Sequence, residues 1–491
     1  MPLGLYMKTH IPARIFPPGT IPAYSNYGAG LAGYIVERVS GEPFEQYIER
    51  HIFQPLGMTH SSFRQPLQNE LKPFMSQGFK RASDGSRDYE LVQPAPAGAL
   101  ASSANDLARF AMAHLQNGQL NGAQILKPET AELMHARAYG LDPDMNGMAL
   151  GFYEENRNAQ RIIGHGGDTI YFHSDLHLIP ALQLAFFVSY NSAGRAIPGD
   201  SGRAILWQHF LDRYFPAALN ESSKPPHAAT DTRQAAGDYL TSRRFEQSIL
   251  RLASLLEVLK VHPGPKDTVM ADDLYGPNGK PRQWEEIASR MGQGIGALEH
   301  PLEYRAQDSQ SRLVFRRGPL GGDIIVTDFP AVAYQRMPWY DSATFISFIV
   351  IGVPGVLVLT IILWPITWAV RRHYGREFPH TGAFRSTRRW VRFACVVEAI
   401  SLCSWIAILL IGSQSDALLT NRLDPWLRLA QIITVAGLAM VIPAVIHLIV
   451  AWASSGVRLW ARLLETVVVL ACFGYVWCVV SWNMLHWSLN Y

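Results

Sequence analysis

The chain has 491 residues, which exceeds the usual length of a single domain, so more than one domain is expected. Charged residues make up only 17% of it, hydrophobic residues make up 48%, and the formal net charge is +3. No basic patch interleaved with aromatic residues precedes the long apolar runs that begin after residue 343, so the composition gives no support for a nucleic-acid partner.

The first distinctive stretch is the segment Pro17–Thr20, which contains two prolines and a glycine and is followed closely by Tyr24 and Asn26. Proline and glycine favour a rigid turn at this point. The spacing of apolar residues then predicts a helix that opens at Gly28 and stops at Gly41. A tyrosine and an asparagine separated by one residue are a weak signal alone, because most such pairs belong to ordinary turns.

Three later segments make the signal specific. They are Ile52–Met58, which ends in Pro-Leu-Gly-Met; Gly98–Phe110; and Gly164–Thr169, which reads Gly-His-Gly-Gly-Asp-Thr. Together with the Tyr-x-Asn tripeptide, they resemble in kind and order the motifs of the class C β-lactamases and the penicillin-binding-protein-like serine hydrolases. The last segment resembles the His-x-Gly variant of that family's Lys-Thr-Gly motif, and the resemblance covers residues 1 to about 215.

Helix and strand patterns alternate through this part of the chain. Apolar residues at helical spacing predict helices, whereas a period-two alternation followed by a strand-length apolar run predicts an antiparallel hairpin. The predicted elements are the helices Leu107–Leu115, with Asn105 or Asp106 as N-cap, Pro128–His135 and about Ser201–Tyr214, and the strands Phe172–Leu178 and Leu184–Tyr190.

The resemblance implies an α/β fold with an antiparallel sheet of the β-lactamase/transpeptidase type flanked by helices. It implies that Tyr24 acts as general base near the nucleophile and that Asn26 hydrogen-bonds the substrate. His165 stands where many relatives have lysine, so a titrating charge replaces a fixed one. Gly166 and Gly167 would let the strand edge approach the substrate, and a backbone N–H near them would help to bind the oxyanion.

Acyl transfer in this family uses a serine followed three residues later by a lysine. None of the eight lysines of this chain has serine three positions earlier, and only 23 residues precede Tyr24. The family's Ser-x-x-Lys lies well upstream of Tyr-x-Asn, so we expect the chain to be inactive alone. A truncated or mis-started reading frame is the favoured explanation, because Met1–His10 does not read as a signal peptide. A naturally inactive homologue is the alternative.

The remainder of the chain changes composition twice. A segment rich in proline, serine and threonine predicts a linker, and the region after it resembles the small β-rich modules often appended to this hydrolase family. In that region, a helix is predicted over Ile249–Leu259 and strands over Arg312–Arg316 and Asp323–Thr327. The predicted domains are 1–217, a hydrolase domain lacking its N-terminal part; 218–232, a linker; 233–340, a small β-rich accessory domain; and 341–491, a membrane domain.

Four apolar runs near or above the length that spans a bilayer close the chain. They are about Thr344–Val370, Phe393–Gly412, Leu429–Trp452 and Leu464–Trp482. Ionisable residues occur inside three of these predicted spans, and helical rise predicts that Glu398 and His447 lie at a similar depth, with Glu465 shallower. These three residues are therefore predicted to form a polar cluster, unless each side chain reaches the lipid headgroups separately.

Arginine placement predicts the orientation of these spans. The loop between the first two spans carries seven arginines, and the loop before the fourth carries Arg458 and Arg462. Because positively charged loops stay in the cytoplasm, residues 1–343 and the C-terminus are expected to face outward. The predicted location is the plasma (inner) membrane, with the hydrolase domain in the periplasm or outside the cell.

Metal and other cofactors are not expected. His173, Asp175 and His177 would share one strand face, and such residues can bind zinc. A polar, solvent-facing side of the strand is the favoured interpretation, since side chains in such a row are about 6.5 Å apart and rarely converge on one ion. All four cysteines lie in the apolar C-terminal region.

The sequence therefore favours a membrane-anchored serine hydrolase that forms an acyl-enzyme with a small-molecule or peptide substrate. A peptide, a β-lactam and an ester all remain open as substrates. The alternative function is a non-catalytic sensor, in which a penicillin-binding-like ectodomain passes ligand occupancy to the membrane helices. The expected partners are the substrate and the lipid bilayer.

Overall fold

The computed structural model describes residues 1–193, 202–217, 225, 227–251, 258–275, 280–287, 301–378, 380, 382–414 and 421–487. The chain divides into two compact units. The first comprises Met1–Arg243 and Val258–Arg336, and the second comprises Arg244–Glu257 and Met337–Tyr491. Parts of the predicted linker, residues 218–224 and 226, and the predicted helix start at Ser201 lie outside the described residues.

Short helices and a four-stranded sheet form the first part of unit one. The helices are α1 (Leu3–Thr9), α2 (Asn26–Ser40), α3 (Phe44–Ile48), α4 (Gln54–Leu56), α5 (Ala95–Gly98), α6 (Ala104–Leu115), α7 (Pro128–His135), α8 (Gly202–Tyr214) and α9 (Ala228–Ala235). The strands are the short pair β1 (Gln119–Leu120) and β2 (Ala123–Gln124), then β3 (Tyr153–Glu154), β4 (Ile163–Asp168), β5 (His173–Ile179) and β6 (Leu184–Tyr190).

The sheet has the strand order β3-β4-β5-β6, and every neighbouring pair is antiparallel. The predicted hairpin is confirmed: β6 has the predicted bounds, and β5 begins and ends one residue later than predicted. Helix α6 packs on the sheet through Ala111 and Leu115, in one buried apolar cluster with Ile163 and Leu178. This helix-on-sheet core holds β4 in place, and it confirms the expected antiparallel sheet with flanking helices.

Helix α6 begins earlier than predicted, and its cap is a different residue. Ser103 has extended backbone angles, and its hydroxyl accepts a hydrogen bond from the Asp106 amide at 3.2 Å, so it is the N-cap. The Asp106 carboxylate instead accepts hydrogen bonds from the His60 amide and the Ser61 hydroxyl. The predicted cap at Asn105 or Asp106 was therefore wrong, because a tertiary contact claims the aspartate. Helix α7 has the predicted bounds.

The predicted β-rich module is a closed barrel of eight antiparallel strands. Its strands are β7 (Gly237–Thr241), β8 (Val258–Pro263), β9 (Val269–Tyr275), β10 (Pro281–Ile287), β11 (Leu302–Ala306), β12 (Arg312–Arg317), β13 (Asp323–Thr327) and β14 (Ala333–Arg336). Buried aromatic side chains, among them Tyr239, Trp284, Tyr304 and Phe315, fill its interior. Closure leaves no unpaired edge strand in the barrel.

Two elements of the barrel region test the sequence predictions. The strand predicted over Asp323–Thr327 is confirmed, and the strand predicted from Arg312 is confirmed with one extra residue. The helix predicted over Ile249–Leu259 was wrong at its end, since Val258 and Leu259 begin β8 and pair with β7. Residues 252–257 of that prediction lie outside the described residues.

Unit two contains four long apolar helices. They are α10 (Ala343–His373), α11 (Gly382–Gln414), α12 (Asp424–Ala453) and α13 (Leu459–Ser481). All four are long and apolar enough to cross a membrane. Each overlaps a predicted span, and α11 begins 11 residues earlier than predicted because the arginine-rich segment before Phe393 is also helical.

Candidate active site

Strand β4 carries the Gly-His-Gly-Gly segment, with His165 paired to Leu176 and Gly166 paired to Asp175 of β5. Alternate residues of a strand point to opposite faces. His165 and Gly167 therefore share one face, and Gly166 lies on the other. This register decides which residues of the motif can face a substrate.

The Tyr-x-Asn tripeptide lies at the start of α2. Ser25 is the N-cap, because its hydroxyl accepts a hydrogen bond from the Gly28 amide at 3.1 Å. Asn26 is the first residue of the helix, and it is exposed. The cap fixes the point where the loop ends and the helix begins. It therefore also limits the direction in which the neighbouring Tyr24 side chain projects.

The barrel holds the backbone on the other side of Tyr24. The Tyr24 amide donates a hydrogen bond to the Ala331 carbonyl at 3.0 Å, and the Ser242 hydroxyl donates to the Pro22 carbonyl at 2.6 Å. Further upstream, the Tyr139 hydroxyl donates to the Thr20 carbonyl. Residues 20–24 are therefore anchored by groups that are remote in sequence.

Tyr24 and His165 lie side by side, with ring centroids 5.9 Å apart and ring planes tilted by 47°. The guanidinium of Arg243, which follows β7 of the barrel, lies 4.9 Å from the Tyr24 ring centroid. The two residues predicted for catalysis therefore meet, and a cation that sequence reasoning did not propose lies against one of them.

Tyr153 of β3 is a second residue that sequence reasoning missed. Its ring centroid lies 5.2 Å from that of His165, and its hydroxyl accepts a hydrogen bond from the Gly166 amide at 2.7 Å. Burial, together with the negative charge of Glu155, raises the pKa of the Tyr153 phenol well above its usual value, so the hydroxyl stays protonated. The predicted oxyanion donor was a backbone N–H near Gly166 and Gly167, and of these the Gly166 N–H is already bonded to this tyrosine.

Burial lowers the pKa of His165 below the ordinary histidine value. A hydrogen bond with the Gly166 backbone and the charge of Glu155 act in the opposite direction but are smaller effects. His165 is therefore neutral at neutral pH and gains its proton only on acidification.

The strand residues considered for zinc each have a separate partner. His173 contacts Asp168 at 2.6 Å, Asp175 forms an ion pair with Arg203 at 3.0 Å, and His177 contacts Glu155. In the part of the chain that the structure describes, no group of three histidine, cysteine or acidic side chains could hold a metal ion. Of these contacts, the one between His173 and Asp168 lies at the turn that joins β4 and β5.

Gly166 and Gly167 differ in the space around them. A Cβ on Gly166 would lie 2.5 Å from Oδ1 of Asp175 and 3.3 Å from the Tyr153 hydroxyl, whereas a Cβ on Gly167 would meet nothing within 4 Å. Asp175 cannot easily move aside, because Arg203 holds its other carboxylate oxygen. The space over Gly167, on the strand face that it shares with His165, is therefore open.

We expect Gly166→Ala to lower the stability of the detergent-solubilised chain by about 1–3 kcal/mol, as overpacking does. The matched variant Gly167→Ala should stay within about 0.5 kcal/mol of the wild type, since its new methyl group enters open space. The midpoint of thermal unfolding, followed by circular dichroism, measures both. Equal losses in the two variants would contradict the assignment of these glycines to different faces.

Comparison with known proteins gives matches to this region. The sequence model of the family described as Beta-lactamase matches residues 12–207. A putative penicillin-binding protein, PbpX of Bacillus subtilis (strain 168), is 41% identical over 101 residues, which are 20% of this chain and 24% of that protein. A putative D-alanyl-D-alanine carboxypeptidase of Escherichia coli (strain K12) is 43% identical over 58 residues, which are 12% of this chain and 13% of that protein.

The match thus spans a quarter or less of the length of these two curated relatives. Among solved structures, the octameric penicillin-binding protein homologue from Pyrococcus abyssi is 18% identical, with a TM-score of 0.34. The alignment covers 65% of this chain and 66% of that one.

Proposed function

Residues 12–207 carry a domain of the beta-lactamase family, and from this premise we propose that the protein is a membrane-anchored serine hydrolase of the penicillin-binding-protein type. It acts through an acyl-enzyme on a peptide, a β-lactam or an ester. The 491 residues contain no Ser-x-x-Lys. In this proposal the chain therefore provides the general base but no serine nucleophile, and it does not form an acyl-enzyme on its own.

The observation that carries the proposal is the contact between Tyr24 and His165, with ring centroids 5.9 Å apart. They come from two motifs that are remote in sequence and that the family places in one site. Their contact supports the assignment of both residues to one site.

Each residue then has a defined role. The Tyr24 side chain, in its phenolate form, takes the proton of the attacking serine hydroxyl, and the His165 ring lies beside it with centroids 5.9 Å apart. Asn26, exposed at the start of α2, donates its side-chain amide to the substrate. Gly166 and Gly167 keep the strand edge close to the substrate, with Gly167 providing the open face.

Arg243 favours a substrate that carries a carboxylate. Its guanidinium lies 4.9 Å from the Tyr24 ring centroid and is exposed, so an anionic group entering the site can pair with it. Peptides ending in D-alanyl-D-alanine have such a carboxylate, as do common β-lactams, and one relative is named a putative D-alanyl-D-alanine carboxypeptidase. We therefore rank this peptide class first among the substrates.

The proposed domains keep the predicted bounds: hydrolase 1–217, linker 218–232, accessory module 233–340 and membrane region 341–491. In the proposed orientation, residues 1–343 lie outside the cytoplasm and the arginine-rich loops lie inside it. All eight lysines precede residue 281, so they lie before the predicted spans. Their accessibility to a reagent therefore reports on which side of the membrane this part of the chain lies.

A membrane-impermeant amine reagent applied to intact spheroplasts should modify these lysines. A lysine introduced by Arg376→Lys, in the loop after α10, should react only after the membrane is permeabilised. Mass spectrometry of the recovered peptides identifies the modified positions. If the introduced lysine reacted in intact spheroplasts and the other lysines were protected, the orientation would be the opposite of the one proposed.

The catalytic proposal is tested first at the level of the DNA upstream of Met1. A reading frame that continues upstream and encodes Ser-x-x-Lys supports the enzyme, and its product should hydrolyse a D-alanyl-D-alanine peptide. An upstream frame without that element, or an extended product that hydrolyses none of the three substrate classes, would favour the sensor function instead.

His165 should make the rate depend on pH in a product that contains the nucleophile. Because burial lowers its pKa, the neutral form persists through neutral pH, and kcat/KM should fall as the pH drops below the ordinary histidine value of about 6.5. In His165→Lys the side chain keeps one charge across this range, so this transition should vanish. Identical pH–rate profiles for the two proteins would contradict a titrating role for His165.

A further inference from the structure

Unit two buries two carboxyl groups in very different surroundings. Oε1 of Glu465 accepts hydrogen bonds from Arg388 at 2.7 Å and Arg392 at 2.8 Å, and its Oε2 lies 3.3 Å from Nε2 of His447. Three basic side chains therefore surround this glutamate. With two guanidinium groups beside it, its ionised form is the stable one.

Glu398 has no such partners. Its side chain lies on α11 and is fully buried, among the apolar residues of the helix interface. Within the described residues, neither carboxyl oxygen has a hydrogen-bonding nitrogen or oxygen partner, and none of the ion pairs includes Glu398. Its polar neighbour is the thiol of Cys472 on α13, which is a weak donor.

An isolated carboxylate in such a place is very costly. Moving an ion of this size from water to a low-dielectric interior is strongly unfavourable even after the protein relaxes, and no cation among the described residues pairs with Glu398 to offset it. Taking up a proton removes the charge at a much smaller cost. The surroundings of Glu465 thus favour the charged form of its carboxyl group, whereas those of Glu398 favour the neutral form.

We propose that Glu398 is a proton-binding site of the four-helix region, where it is a neutral carboxylic acid at neutral pH and releases its proton only when a base reaches it. This inference does not depend on the hydrolase activity. It rests on the burial of Glu398 in the helix bundle and on the lack of a cationic partner for it among the described residues.

Polar clusters lie on either side of Glu398 along α11. Three residues further along α11, the Ser401 hydroxyl lies 2.9 Å from the Thr434 hydroxyl of α12 and accepts a hydrogen bond from the Tyr475 hydroxyl of α13. In the other direction along α11 lies Arg392, which binds Glu465. Glu398 is the acidic residue that lies between these two polar clusters on α11.

The titratable groups near Glu398 are thiols and a phenol, and neither kind of group can supply a cation. They are Cys472 on α13, which also contacts Cys395 on α11, and Tyr475 on α13. Helix α12 contributes His447, but that imidazole lies against Glu465 and Thr387. The buried residues of α10, Val353 and Leu357, are apolar.

Dicyclohexylcarbodiimide is a direct probe, because it reacts with carboxylic acids in apolar surroundings. The acid O–H adds across one C=N bond, so that oxygen bonds to carbon and the proton moves to nitrogen, and the acyl group then shifts to nitrogen as a stable N-acylurea. The full chain in detergent should acquire this adduct on Glu398 at neutral pH, as peptide mass spectrometry would show. Glu465 in the same sample should remain unmodified, and the yield on Glu398 should fall as the pH is raised.

Infrared spectroscopy measures the protonation of Glu398 even if the reagent does not reach this buried side chain. Wild-type protein at neutral pH should show the C=O stretching band of a protonated carboxyl group, and E398Q should lose it. The control variant E377Q removes an exposed glutamate in the loop after α10 and should leave the band and the adduct unchanged. A wild-type spectrum without the band would show that Glu398 is ionised and would overturn the proposal.

Discussion

The 491-residue chain should remain unlabelled after incubation with a fluorescent penicillin or a fluorophosphonate probe. Its serines lack the lysine that activates the nucleophile in this family, since no Ser-x-x-Lys occurs in the sequence. Removing the nucleophile of a serine hydrolase lowers kcat by roughly 10⁶-fold, so the labelled band should fall below detection. Ser25, the serine next to Tyr24, cannot substitute, because its hydroxyl caps α2.

Gel fluorescence followed by mass spectrometry measures this result. The positive control is a purified class C β-lactamase with an intact Ser-x-x-Lys, treated in parallel. Covalent modification of any serine in the 491 residues, located by peptide sequencing, would contradict the expectation. It would also show that this chain activates a serine by some other arrangement.

In a product that contains the nucleophile, Tyr24→Phe should lower the rate of acylation by about 10²–10⁴-fold, the range that a general base contributes. The substitution keeps the ring that lies against His165 and below the Arg243 guanidinium, and it removes only the hydroxyl group. The loss should therefore fall on the rate of acylation and leave the thermal stability nearly unchanged. Stopped-flow acylation with a chromogenic β-lactam measures the rate.

Tyr27→Phe is the matched control for this variant. The Tyr27 hydroxyl donates a hydrogen bond to the Met7 carbonyl at 2.9 Å, so its removal should lower stability by about 1 kcal/mol with the acylation rate preserved. Equal rate losses in the two variants would mean that both act through the position of α2. A Tyr24→Phe protein with the wild-type rate would remove Tyr24 from the catalytic role.

Short-range patterns were enough to predict the elements that depend on neighbours in sequence. Strand β6 and helix α7 have the predicted bounds, because a strand-length apolar run and a proline at the first helical position are local signals. The two catalytic candidates were also found locally, since each lies inside a motif. Their contact, however, depends on the register of β4 with β5, which the sequence pattern did not define.

Residues that reach the site from distant segments could not be predicted in this way. Arg243 follows a barrel strand, and Tyr153 belongs to a two-residue strand with too few positions for any periodicity. Neither lies in a motif, so no local signal distinguished it. Both meet His165 or Tyr24 only because the sheet and the barrel bring them there.

The polar residues of the apolar helices show a similar limit. Depth along the helix axis predicted that Glu398 and His447 would lie together, but His447 contacts Glu465 instead. Helical rise fixes only the height of a residue, whereas contact also depends on how each helix is rotated about its axis. The rotation found here turns His447 toward Glu465 and leaves Glu398 beside Cys472.

The hydrogen bonds from Tyr24 to Ala331 and from Ser242 to Pro22 have a consequence for how this protein can be altered. A module joined to an enzyme only by a tether can be exchanged or deleted while the enzyme keeps working. Here residues of the barrel region hold the backbone of the Tyr-x-Asn loop by hydrogen bonds. We therefore expect that the barrel and the hydrolase domain can be exchanged only together. A homologue with a different barrel would need new hydrogen-bonding partners for the Pro22 carbonyl and the Tyr24 amide to hold Tyr24 in the same position.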